Sequence, residues 1–180
     1  SDLLAFEGTI GVAAYGVVAN FAFVASALFV GIAQGIQPLA SNAYARGDGR
    51  DLRTVLRLAL LTALVIATTT YAAVALAAEP LALAFNRDND PQLTALAVDG
   101  MRVYFLGYFF AGANIVAAAF FSAVEKPAYG LAISIVRGLP AMLAFAAVLA
   151  ALFGMAGVWA TFPAAEAATF ALTAVLLVRF

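Results

Sequence analysis

Two ionisable residues, Glu166 and Arg137, lie where an apolar chain has no ordinary use for charge. No charged residue occurs from Gly138 to Ala165, and Glu166 follows Gly157 by nine residues and precedes Arg179 by thirteen. At the rise of a helix, Glu166 is roughly 14 Å from the nearer end of its segment. An ionised carboxylate at that depth in hydrocarbon must be paired, hydrated or protonated. It could take up a proton and release it when the site opens to water, or hold a cation. Pro163, three residues earlier, frees a carbonyl one turn back as a further ligand. The structural alternative is a partner that holds two helices together. Arg137 lies nine residues after Ala128, and antiparallel neighbours would bring it within roughly 6 Å of the depth of Glu166. An Arg137–Glu166 pair is thus possible, beside a snorkelling Arg or one bound to backbone carbonyls. Such a pair would hold the carboxylate charged and weaken a proton switch.

Uncharged polar side chains are the next set. Asn20, Gln34, Gln37, Asn42 and Asn114, with Ser26, Ser41, Thr161, Thr169 and Thr173, are spread over three hydrophobic segments. In lipid such groups either join helices or line a water-filled cavity. Asn114 and Gln34 are the first choices for a cavity, because they lie inside segments and not at their ends. Asp99 and Arg102, three apart, are expected to pair locally. Phe105, Tyr108, Phe109 and Phe110 could offer a cation a π face, although packing is the simpler use. With no Cys and no His, Cys/His metal sites, thiol nucleophiles and imidazole bases are excluded. No Walker A loop, GxSxG elbow or HExxH occurs, so no enzyme is expected.

The elements that must carry these residues follow from composition. The 180 residues are 66% hydrophobic and 11% charged with a net charge of -1, and the mean hydropathy is +1.03. A water-soluble fold of this size could not hide so much apolar surface. Without a basic stripe, no nucleic-acid partner is expected; the partner is the lipid bilayer. Uncharged runs such as Gly8 to Ala45 and Leu58 to Ala78 match the hydrocarbon thickness. Five helical spans are expected at about 9–44, 52–78, 94–122, 128–152 and 157–179. The first should bend near Gly31, Gly35 and Pro38. The second should end at Glu79-Pro80, followed by a short interfacial segment and the polar NRDNDP turn. Asp90-Pro91 is a cap-and-proline helix start. Pro140 is placed inside the fourth span, and a tight GMAG turn joins it to the fifth.

Orientation follows from basic residues. Arg46, Arg50, Arg53, Arg57, Lys126, Arg137 and Arg179 fall on one side and only Arg87 and Arg102 on the other. The first side is expected to be cytoplasmic, with Arg50, Arg53 and Arg57 as an anchor on anionic lipid and the N-terminus outside. The start Ser-Asp-Leu-Leu carries no signal-peptide pattern, and suggests an upstream part that is not shown.

Several segments, in order, resemble the C-terminal lobe of the multidrug and toxin extrusion (MATE) family, in particular its MepA-like and DinF-like branch. They are ALFVGIAQGIQPLASNAYARGD (Ala27 to Asp48), PLALAFNRDNDPQL (Pro80 to Leu93), GYFFAGANIVAAAFFSAVEKP (Gly107 to Pro127), SIVRGLPAML (Ser134 to Leu143) and GMAGVWATFPAAEAATF (Gly154 to Phe170). The resemblance implies twelve helices in two six-helix lobes. Here it implies an all-α bundle of five transmembrane helices, one lobe lacking its first helix, with the N-terminal lobe missing. It also implies export of organic cations in exchange for protons or sodium, with no other cofactor, across the inner (plasma) membrane. By position Gln34, Gln37 and Pro38 match the family's first motif, Asn114 its tenth helix, Arg137 its eleventh and Glu166 its twelfth. The sodium-coupled NorM-like branch carries an Asp in the middle of its tenth helix, where this chain has Gly112, Ala113 and Asn114. That departure puts a sodium site of that type in doubt.

The expectation is therefore an antiporter lobe, with Glu166 the ion-coupling candidate and Asn114, Gln34, Gln37, Asn20 and Arg137 the substrate-cavity candidates. Two rival readings remain open. A flippase for a lipid-linked oligosaccharide would want several cations for pyrophosphate, whereas Arg137 is alone. A non-transporting scaffold subunit would use the polar groups only as interhelical glue.

Overall fold

The computed structural model describes residues 2–86 and 90–180, with side chains described from residue 8 onward. Its helices are α1 (Asp2–Ala45), α2 (Gly49–Phe85), α3 (Pro91–Tyr104), α4 (Tyr108–Ala123), α5 (Pro127–Gly138), α6 (Pro140–Phe153) and α7 (Met155–Arg179). A three-residue 3-10 turn, Phe105–Gly107, joins α3 to α4. Taken as spans, they make five apolar segments long enough to cross a membrane, Gly8–Ala45, Gly49–Phe85, Pro91–Ala123, Pro127–Phe153 and Met155–Arg179. Arg87 lies outside the described residues.

Helix boundaries follow local chemistry. At the first loop Gly47 takes φ +68, where a side chain would be strained. Asp48 then caps α2, its carboxylate accepting from the amides of Arg50 at 3.1 Å and Asp51 at 2.9 Å. Asp90 caps α3 in the same way, with Pro91 at the first helical position. Gly154, at φ +58, turns the chain between α6 and α7.

Packing rests on small residues, as expected where lipid removes the hydrophobic drive between helices. The buried face of α2 is Leu52, Ala59, Ala63, Ala67, Val74, Ala78 and Ala82, mostly four apart, and it lies against α1 and α4. The buried face of α1 repeats at three and four residues through Ala14, Val18, Ala22, Ala25, Phe29, Ala33, Ile36, Ala40 and Ala43. The central element is α4, which touches α1, α2, α5 and α7. A Cβ on Gly112 would stand 2.6 Å from the Phe29 ring, so this glycine lets α4 close on α1. Gly157 does the same for α6 and α7, since a Cβ there would collide with the Leu149 carbonyl.

Three boundaries differ from those expected. Helix α2 passes through Pro80 to Phe85 without a break. The third span, in contrast, is interrupted at Phe105–Gly107, where the Phe162 ring leaves no room for a side chain on Gly107. The fourth span, expected as one helix, is divided at Leu139 into α5 and α6. Pro140 has no amide to offer the Val136 carbonyl, so the break falls where the hydrogen-bond ladder loses a bond.

Candidate functional site: a buried ion pair at the broken span

The break in the fourth span places Arg137 in the last turn of α5, where the carbonyl end of a helix favours a cation. From there the guanidinium reaches α7. Its Nε and Nη2 both donate to Oε1 of Glu166, at 2.9 and 2.7 Å. Glu166 is 2% exposed, and the Arg137 side chain is 29% exposed. The other carboxylate oxygen, Oε2, accepts from Nδ2 of Asn114 at 2.8 Å. That same amide nitrogen donates to the Glu166 carbonyl at 3.0 Å. Asn114 Oδ1 then accepts from the Thr173 hydroxyl at 2.8 Å, and both of these residues are fully buried.

Thus α4, α5 and α7 are tied through a four-residue network in which no buried side-chain polar atom lacks a partner among the described residues. Only two salt bridges occur among those residues. The other, Arg46–Asp51 at 2.6 Å, is exposed on both sides. Removing one partner of a buried pair leaves an uncompensated charge, at about 3–5 kcal/mol. The network is therefore expected to hold the broken span against α7.

Glu166, Asn114 and Arg137 are thereby brought together, but the remaining cavity candidates stand apart. Asn20, Gln34 and Gln37 are exposed on α1, outside the stripe buried through Ala22, Phe29 and Ile36. Asn20 donates to its own helix at the Gly16 carbonyl, 2.8 Å away. Gln37 shares with Pro38, Ser41, Ser122 and Ala123 a groove of about 370 Å³. Periodicity explains the separation: one face of α1 is filled by α2, α3 and α4, and the amides occupy the uncovered one.

Thr173 is one of many hydroxyls in these segments. Its signal was spacing: Glu166, Thr169 and Thr173 form one polar stripe on α7. Thr169 satisfies itself on the Ala165 carbonyl, leaving Thr173 to reach Asn114. Tyr108, one of the aromatics for which packing is the simpler expectation, reaches Ser26 of α1 at 2.9 Å and the Ala22 carbonyl while stacking on Phe29 with ring centres 5.5 Å apart. These aromatics are packing elements. The expected Asp99–Arg102 pair is absent. Both are exposed and instead line a groove of about 540 Å³ with Glu79, Leu83 and Val98, away from the buried network. Among the described residues no group of three acidic side chains could hold a metal.

The comparisons bear on what this arrangement belongs to. No curated protein matches the chain. An outward-facing structure of a multidrug resistance MATE family transporter matches with a TM-score of 0.86 and 18% identity, covering 96% of this chain and 40% of that one. An inward-facing structure of such a transporter matches at 0.85 and 15%, covering 93% and 40%. A Vibrio cholerae MATE transporter matches at 0.84 and 18%, covering 99% and 41%. The chain thus has the fold of one lobe and spans about two fifths of the length of these transporters. The model of the MatE family matches residues 3–148, most of the chain, and the protein is a member of the MATE family.

Proposed function

We propose that this chain forms most of the C-terminal lobe of a MepA- or DinF-like MATE antiporter, exporting organic cations in exchange for protons or sodium across the inner membrane. The observation that carries the reading is the buried Arg137–Glu166 pair, beside a helix broken at mid-span. Discontinuous spans are where transporters gather ion and substrate contacts, and an intramembrane charge is functional by default. Support for a moving lobe comes from the likeness to both outward-facing and inward-facing structures at nearly equal TM-scores. One lobe fold serves both states, as rocking of a packed bundle requires.

In this mechanism Glu166 is the coupling charge, and Arg137 is the cation that holds it in one state. A proton or sodium ion reaching Glu166 competes with the guanidinium, loosens α5 from α7 and shifts the balance between the two states. The exposed face of α1, with Asn20, Gln34 and Gln37, forms the wall that meets substrate and the N-terminal lobe. A flippase for lipid-linked sugars is less well supported, because the one deep Arg is already neutralised by Glu166.

The test is ethidium efflux from proteoliposomes under an imposed proton or sodium gradient. The native protein is expected to export the dye only with a gradient, and Glu166→Gln to lose gradient dependence. Unchanged coupling in Glu166→Gln would remove Glu166 from the mechanism, and no efflux by the native protein would remove the transporter reading.

A further inference from the structure

Along the first third of α2, one stretch of surface changes from basic to apolar in a single continuous groove. Its outer part, about 480 Å³, is lined by Gly49, Arg50, Arg53, Thr54 and Arg57. The adjoining part, about 400 Å³, is lined by Arg53, Leu56, Arg57, Leu60, Leu61 and Leu64. Arg53 and Arg57 belong to both, so the two parts meet without a boundary.

The three arginines recur at intervals of three and four, which puts them on one helix face over roughly 10 Å of axis. Among the described residues none of them makes a salt bridge, because the two carboxylates nearby are already engaged. Asp48 caps the helix, and Asp51 is held by Arg46 at 2.6 Å. The groove therefore offers three guanidinium groups outside any salt bridge, and its lining holds no carboxylate to meet an amine. Its leucines continue along the axis into the segment that crosses the bilayer.

We propose that this groove binds one anionic phospholipid without an amine, of the phosphatidylglycerol type. The phosphodiester is held by Arg50, Arg53 and Arg57, and an acyl chain lies along Leu56, Leu60, Leu61 and Leu64. The arrangement separates a specific site from a diffuse basic anchor. A diffuse anchor needs only charge near the headgroups, whereas this groove matches both ends of one molecule in order. Guanidinium forks suit phosphate oxygens, and the long arginine stems cover the transition to the apolar wall.

The test is thermal unfolding of the purified protein in detergent with added phosphatidylglycerol, phosphatidylcholine or inorganic phosphate, with bound lipid counted by native mass spectrometry. Phosphatidylglycerol is expected to raise the midpoint and to remain bound as one molecule, with about tenfold preference over phosphatidylcholine, weakened by salt. Inorganic phosphate alone should do neither. Arg53→Gln/Arg57→Gln should lose both effects, and a short-chain phosphatidylglycerol should stabilise the native protein less than a long-chain one. Equal stabilisation by phosphatidylcholine, full reproduction by phosphate, or binding retained in the double variant would overturn the proposal. Should that variant fail to fold, the lipid and phosphate arms on the native protein decide alone.

Discussion

At the residue scale, the pair at 2.7 Å makes the effects of its two partners unequal. Arg137 retains some access to its surroundings, whereas Glu166 has almost none. Arg137→Met therefore strands a carboxylate in apolar surroundings, where it must collect a proton or a cation. The variant is expected to lose about 3–5 kcal/mol and to regain part of it as sodium is added, through linkage. Arg137→Met/Glu166→Leu, which removes both charges, should be more stable than Arg137→Met alone. Unfolding midpoints at several sodium concentrations check both statements, and a single variant indifferent to sodium would contradict the first. Glu166 and Arg137 could be read from the sequence because depth follows from counting residues along uncharged runs. Their exact contact could not, since the direction of each side chain depends on how α5 and α7 rotate against each other. The partner of Thr173 was hidden for a related reason. Threonine in a helix commonly bonds its own backbone, as Thr161 and Thr169 do, and the stripe that Thr173 shares with Glu166 and Thr169 does not say which hydroxyl reaches another helix.

At the element scale, proline had different outcomes at four positions. Pro38, Pro80 and Pro163 lie inside continuous helices, but Pro140 begins a new one. The residue type is the same, so the difference lies in tertiary context: a ladder can pass one missing amide where neighbours hold the helix straight. The fourth span is packed mainly against α4 and α7, and most of its surface is uncovered. The interruption at Phe105–Gly107 was equally hidden, because no proline marks it and the Phe162 ring that crowds Gly107 comes from another helix. The cap at Asp90 was legible, since it acts through amides two and three residues away next to a proline, and Asp48 caps α2 by the same local contacts. Close helix approach also yields a prediction. Gly157→Val sets a branched side chain against the Leu149 carbonyl, and should destabilise the α6–α7 hairpin by about 1–3 kcal/mol. A thermal midpoint lowered by several degrees is expected, and an unchanged midpoint would contradict this packing.

At the scale of the whole molecule, five apolar spans and their family were legible because hydropathy and motif order are properties of long stretches, which local rotation does not disturb. What could not be read was the sorting of polar groups between two surfaces. Asn114 and Glu166 turn inward to a sealed network, while Asn20, Gln34 and Gln37 occupy an uncovered face of α1. The proposed transport function needs that face to border water and substrate, and the absence of native cysteine makes it directly accessible to labelling. The most direct test is therefore the reaction of single cysteines, introduced as Gln34→Cys, Gln37→Cys and Val65→Cys, with a membrane-impermeant thiol reagent in proteoliposomes. The lobe proposed here predicts rapid labelling at 34 and 37, slowed by ethidium, and none at 65 on the lipid side of α2. Equal inertness at all three positions would contradict it.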